Sequence, residues 1–523
     1  MLRSKLKVCL SVTSICTVML LAACGVNNPN MGKYAISGYE SVYALQEVDI
    51  AQYKNYTDNP IQSVEKTPVS TFGLDMDTGS YANVRRFISH GEVPPPDAVR
   101  VEEFINYFPP ASKESLKQLK NSPFSASYEV TTSPWDSNKV LLRVNVKADD
   151  LKTTEIPPAN LVFLVDISGS MLGPERLDLL KSSLKLLVKE LRPEDKVSLV
   201  TYADGTEIVL EPTSGKEKAK IINALDKLSA GGATAGGEGL KLAYQMAEQG
   251  KIDNGVNRIL LATDGDFNVG ISNVEELKSF VSRARDKGIT LSTLGFGDNN
   301  YNEAMMVQIA NVGNGNYSYI DSLSEAQKVL QEEMSATLVT VAKDVKAQIE
   351  FNKDQVLEYR QLGYEKRQLA AEDFNNDNVD AGDIGAGKRV TVLYELTLVG
   401  GKASVDALRY QKKEQMKSND YDNELAYLKL RWKMPNGENS QLVSLPIEKK
   451  VPISQFDKAS IETRFAIAVA AFGQKSRNNP ALAKTSYEQI AQWANNAKGE
   501  DPNGYRGEFV KLVKLTGSIT RSQ

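Results

Sequence analysis

Hydrophobic positions along this chain of 523 residues follow more than one rhythm. Between Asn160 and Val312, continuous β-branched runs alternate with stretches whose apolar residues return every three or four positions. The runs at 160–166, 196–204, 258–266 and 289–297 have the composition of strands buried on both faces of a parallel sheet. Leu177, Leu180, Leu184, Leu187 and Leu191 would share one face of a helix, and further helices are predicted over 217–228, 236–249, 274–287 and near 303–312. This alternation predicts a doubly wound, Rossmann-like α/β domain with a predominantly parallel sheet, spanning 155–340.

The flanks read differently. Residues 125–133 and 139–147 alternate apolar with polar, as strands of a half-exposed antiparallel sheet do. From Lys343 onward strand-like pieces (345–352, 389–399, 426–434) precede helical ones (462–476, 487–496, 505–519), predicting an α+β domain over 343–523. The β segment 120–150 either stands apart or pairs with that later sheet, which would make the α/β domain an insertion between two halves. Residues 66–112, with two short helical patterns around Pro94-Pro95-Pro96, are expected to form a small module of their own. Residues 24–65 show no sustained apolar period and read as a flexible tether.

At the start of the chain Arg3, Lys5 and Lys7 precede an apolar stretch from Val8 to Leu21, which predicts a secretory signal over 1–23. The stretch is short for a bilayer span. The sequence Leu21-Ala22-Ala23-Cys24 resembles the lipobox of bacterial lipoproteins, which implies that Cys24 is lipid-modified and becomes the first residue of the mature chain. Resemblance to lipoproteins further implies, from Gly25 in place of an Asp, an outer-membrane address where the cell has one. The expected product is anchored to the cell envelope by lipid at its N-terminus. All three cysteines (Cys9, Cys16, Cys24) lie in this stretch, leaving the remaining chain without a thiol for a disulfide, zinc ligation or nucleophilic chemistry. Removing the leader's three basic residues from the 62 Lys plus Arg leaves 59 against 66 Asp plus Glu, a net charge of −7. That balance argues against nucleic acid or an anionic bilayer surface as partner.

The chemistry concentrates at the ends of two predicted strands. Asp166, Ser168 and Ser170 stand in the segment VDISGSM, Thr234 in the glycine-rich segment GGATAGG, and Asp264 in LLATDGD. Ligands of such sheets gather at the carboxyl ends of the strands, so these five oxygen-bearing residues can meet at one edge. They read as a divalent-metal site. Magnesium is the expected ion, with manganese or calcium as alternatives, because hard cations take oxygen ligands. Two carboxylates balance a divalent charge, whereas three hydroxyls are neutral and donate weakly. An ion held this way stays electrophilic and would accept an Asp or Glu carboxylate from a protein partner.

These five residues resemble the metal-ion-dependent adhesion site of von Willebrand factor type A domains. The resemblance implies direct coordination by Ser168, Ser170 and usually Thr234, with Asp166 and Asp264 acting partly through water. The whole chain also resembles a family of bacterial lipoproteins with an N-terminal von Willebrand-associated module, a type A domain and a C-terminal region of unknown function. The stretches GLDMDTGSYANVRR, LATDGDFNVG and DAGDIGAGKRVTVLYEL carry that likeness.

Other motifs weigh less. Asp75, Asp77, Thr78 and Ser80 could imitate a second oxygen-ligand turn, but are more simply read as capping the helix that begins near Tyr81. Glu238 and Asp266 lie beside the site in sequence and would add charge, although a Glu at a helix N-terminus is favourable in any case. Asp373-x-Asn375-x-Asp377 lacks the later glycine and glutamate of an EF-hand and reads as a solvated loop. GDIGAGK lacks the spacing of a phosphate loop. His90, the single histidine, has no nucleophile pattern near it, and nothing singles out paired carboxylates facing a pocket, so a hydrolase is the weakest reading. The expected function is partner binding through the metal. An envelope scaffold with a purely structural ion and contacts through the C-terminal domain is the alternative.

Overall fold

In the computed structural model, the described residues are 51–523 apart from 153–154, 234–235, 266–273, 298–300, 334–337, 406–420, 436, 450 and 523. The signal stretch, Cys24 and most of the tether fall outside them. Continuous apolar runs became the central strands of a six-stranded sheet. Its order is Tyr317–Tyr319, Thr290–Gly295, Val256–Thr263, Ala159–Asp166, Lys196–Tyr202 and Thr206–Ser214, parallel throughout except for the last pair. Every residue of Ala159–Asp166 is buried, as a strand covered on both faces must be. Helices Leu177–Glu190 and Lys218–Asp226 close one face, and Gly236–Gly250 and Val274–Asp286 close the other. The sheet is thus doubly wound.

Two antiparallel sheets lie outside this domain. One runs in the order Gln62–Ser63, Val356–Leu362, Arg389–Leu398, Val140–Ala148, Phe124–Thr132, Lys117–Gln118. In the other, Thr340–Phe351 pairs with Glu424–Lys433 on one side and with Val69–Gly73 and Gly382–Gly385 on the other, and Ser440–Glu448 forms the edge. Leu142, Val144 and Val146 of the first meet Ile349, Leu428 and Trp432 of the second in a shared core, so the pair forms a sandwich. The α/β segment enters and leaves this sandwich, because Val140–Ala148 pairs in register with Arg389–Leu398 from the far side of the sequence.

Residues 66–112 depart from the expectation of a separate module. Val69–Gly73 is a strand of the sandwich, and Val84, Phe87 and Phe104 share one core with Phe465, Phe472 and Phe509 of the C-terminal helices. Helices of 11 and 7 residues cannot bury a core alone, so they complete a layer with Ile461–Ser476, Tyr487–Asn496 and Tyr505–Ser522. The end of the expected tether is also fastened down. Gln62 and Ser63 pair with Tyr359 and Glu358, and Asp58 binds Arg477 at 2.7 Å. These ties are polar and leave no hydrophobic period to read. No helix among the described residues is long and apolar enough to cross a membrane.

Candidate metal centre

Asp166 ends strand Ala159–Asp166, and the parallel pairing of Val165 with Ala262 sets Asp264 just beyond the end of the neighbouring strand. Both carboxylates are fully buried. The backbone N–H of Ser168 donates to Asp166 Oδ1 at 2.9 Å, which folds the turn back so that the hydroxyls of Ser168 and Ser170 lie 3.0 Å apart. On the other side Thr263 donates its hydroxyl to Asp166 Oδ2 at 2.8 Å. The glycine-rich loop is drawn to the same place, with Gly231 N–H donating to Ile167 O at 2.8 Å and Gly169 N–H to Gly232 O at 2.9 Å. Gly232 has φ of +86°, and a Cβ there would come within 2.4 Å of the Asp204 carboxylate. Only glycine fits.

Four of the five expected ligands, Asp166, Ser168, Ser170 and Asp264, therefore come together. Thr234 lies outside the described residues, as does Asp266, while the chain up to Ala233 leads to the site. Glu238 points elsewhere, into an exposed pair with Lys241 at 2.8 Å. Burial raises the Asp166 carboxyl against the lowering pull of its Ser168 hydrogen bonds, and the nearby Asp264 charge lifts it further, to about 6. Two carboxylates forced together at a buried strand end, with two neutral hydroxyls beside them, are a donor set of hard oxygens that suits a divalent cation. Sequence reasoning missed Thr263 and Tyr202. Tyr202 lies beneath the site, where burial and the Asp166 charge raise its hydroxyl well above the usual range.

The other carboxylate cluster has a different character. Asp75, Asp77 and Glu103 offer oxygens within 4.8 Å of one another, all buried. A protein cation already sits among them, since Lys366 Nζ is 2.9 Å from Asp75, 3.4 Å from Asp77 and 2.6 Å from Glu103. Arg367 adds a second cation at 2.9 Å from Asp75. Arg367 and Lys366 together outweigh burial and hold Asp75 well below the carboxylate range, whereas burial and the Asp75 charge push Asp77 up to about 7. The expected cap is absent as well. Thr78 makes no side-chain cap, and Glu103 accepts the Ser80 N–H at 2.8 Å in its place. His90 is exposed, 3.8 Å from Glu175.

A doubly wound sheet with this acidic and hydroxyl constellation at its carboxyl edge is that of a von Willebrand factor type A domain, and the type A family model matches residues 160–333. Models described as von Willebrand factor and as the C-terminal region of uncharacterized protein YfbK match residues 47–143 and 336–519. The chain is 57% identical to uncharacterized protein YfbK of Escherichia coli (strain K12) over 90% of this chain and 82% of that protein, and it belongs to the same family. It is also 37% identical to uncharacterized protein sll0103 of Synechocystis sp. (strain ATCC 27184 / PCC 6803 / Kazusa), over 37% of this chain and 44% of that one. A solved von Willebrand factor type A structure from Catenulispora acidiphila aligns with 77% of this chain and 99% of its own, at 15% identity and a TM-score of 0.40.

Proposed function

We propose that this protein is a cell-envelope lipoprotein that binds a protein partner through a divalent ion at the edge of its type A domain. The observation that carries this reading is the pairing of the Ser168 and Ser170 hydroxyls at 3.0 Å beside the buried Asp166 and Asp264 carboxylates. Asp166, Ser168, Ser170 and Asp264 would hold the ion, with Thr234 joining from the adjacent loop. Magnesium is the proposed ion. When bound, it supplies a site for a further anionic ligand, which the partner provides as an Asp or Glu carboxylate. The protein residues do the rest. Thr263 and the Ser168 N–H fix the Asp166 carboxylate, and the glycine-rich loop keeps the rim free of bulk. Leu172, two residues past Ser170 and 72% exposed, offers an apolar contact next to the carboxylate's entry point.

The experiment is capture of partners from intact cells by cross-linking, comparing the native protein with Asp166→Ala after circular dichroism has shown that the variant folds. Capture should be lost in the variant and in the native protein treated with chelator. Chelator-insensitive capture that survives the substitution would refute the metal-mediated reading. The proposed membrane anchor at Cys24 is tested separately, by metabolic labelling with a fatty-acid analogue. Label should enter the native protein and be absent from Cys24→Ser.

A further inference from the structure

The strand Val140–Ala148 buries Leu142, Val144 and Val146 in the sandwich core, which turns Arg143, Asn145 and Lys147 to its opposite face. On that face Thr391 stands opposite Asn145 and Arg389 directly opposite Lys147 in the antiparallel register. Two cations in direct cross-strand opposition repel and disfavour the pairing. A third, Lys388, adjoins them, and its carbonyl accepts the Ala148 N–H at 2.9 Å. All three line a cavity of about 380 Å³, whose lining also holds the apolar Phe108, Pro109 and Phe465 and the acidic Asp150, Glu332, Glu333 and Glu462. That volume lies within the range of small-molecule sites, about 300–1,000 Å³.

The hydrogen bonds already made show what the cavity still offers. Among the described residues Lys147 bonds Asp150, Lys388 bonds Glu333 at 2.6 Å, and Arg389 makes one contact of 3.3 Å with Glu114. Each ammonium has three N–H donors and the guanidinium five, so most of their capacity is unspent. The acidic groups of the lining are committed. Asp150 accepts from Lys147, Glu332 from Asn503 and Tyr505, Glu333 from both Lys328 and Lys388, and Glu462 from Ala111, Ser112 and Arg506. What remains is a surplus of donors, more than the two oxygens of one carboxylate can satisfy, facing a partly aromatic wall.

We infer that this cavity is a binding site for a phosphate monoester, its phosphoryl oxygens between Lys147, Lys388 and Arg389 and its apolar body against Phe108 and Phe465. The site is separate from the metal centre and needs no residue of it. Lys388 belongs to the GDIGAGK stretch, whose spacing is wrong for a phosphate loop. The anion is met here by side chains across two strands, since the Gly387 and Lys388 N–H groups are spent on Asp149 and Gly385.

The test is isothermal titration of the full-length protein with inorganic phosphate, phenyl phosphate and dodecyl phosphate. Phenyl phosphate should bind at least tenfold more tightly than inorganic phosphate, and Lys147→Gln with Arg389→Gln should weaken it tenfold or more. Tighter binding of phenyl than dodecyl phosphate assigns the site to a soluble ester, and the reverse order to a lipid headgroup. Should the double variant fail to fold, Lys388→Gln carries the test with the same expected loss. Absence of binding at millimolar phenyl phosphate, or affinity unchanged by these substitutions, overturns the proposal.

Discussion

Thr263 donates its hydroxyl to Asp166 Oδ2 at 2.8 Å, from the last position of one parallel strand to the last position of its neighbour. The bond fixes Oδ2 of a carboxylate whose Oδ1 the Ser168 N–H holds at 2.9 Å. Groups that orient metal ligands in this way typically change metal affinity about 10–100-fold when removed. Thr263→Val keeps the shape and removes the donor. Titration of the folded variant with magnesium should show affinity weakened by at least about tenfold; equal affinities would show that Asp166 needs no such support.

Lys366 is buried among three carboxylates, and replacing it by Met removes the cation while keeping the stem. Breaking a buried ion pair from one side costs about 3–5 kcal/mol, because the remaining charges stay buried without compensation. Lys366→Met should therefore lower stability by about that amount in chemical denaturation. Asp77→Asn with Asp75 and Glu103 intact should cost much less, since the Asp77 carboxyl is already pushed up to about 7 and readily protonated. A Lys366→Met loss below about 1 kcal/mol would mean that the cluster is solvated.

Burial raises four carboxyls (Asp77, Glu303, Glu365 and Asp383) to about 7 in the folded chain. Between their ordinary values near 4 and this higher value the folded state holds protons that the unfolded state has released. Stability then falls as pH rises through that window. Asp75, held low by Arg367 and Lys366, contributes in the opposite sense only at more acidic pH. The melting temperature of the metal-free protein should be higher at pH 5.5 than at pH 8. A curve that climbs across this interval would contradict the protonated state of these buried groups.

Legibility in the sequence tracked the range of the interaction. Runs such as Asn160–Asp166 declare a buried strand by composition, and Asp166, Ser168 and Ser170 lie so close in the chain that their turn is written locally. Asp264 was readable because it follows such a run. The edge strands Thr206–Ser214 and Ser440–Glu448 were not, since one face of each is exposed and the apolar signal is diluted. Lys366 could not be matched to Asp77, 289 positions away, because an ion pair between distant segments leaves no periodicity. The docking of residues 51–65 was hidden for the same reason. Asn59 bonds the carbonyls of Gln361 and Gly363, and a polar stretch of that kind looks like any spacer.

The most demanding consequence concerns chain order. Asp149 O accepts from Gly387 N–H at 2.9 Å, and Val339 O accepts from Ala386 N–H at 2.9 Å. The chain thus leaves the sandwich and returns to it on two consecutive residues of one turn. Such close ends can be joined by a loop of about 4–6 residues. Replacing 151–338 by a short Gly/Ser linker should leave a sandwich with its helical layer that unfolds cooperatively, because Leu142, Val144 and Val146 still meet Leu428 and Trp432. Residues 339–523 alone should show no such transition. They lack Val140–Ala148 and Val69–Gly73, so Arg389–Leu398 and Thr340–Phe351 would each present an unpaired edge. Differential scanning calorimetry of the two proteins decides the matter: a single transition in the linked form and none in the fragment is expected, and cooperative unfolding of the fragment would show that the C-terminal region folds without the strands that precede the α/β segment.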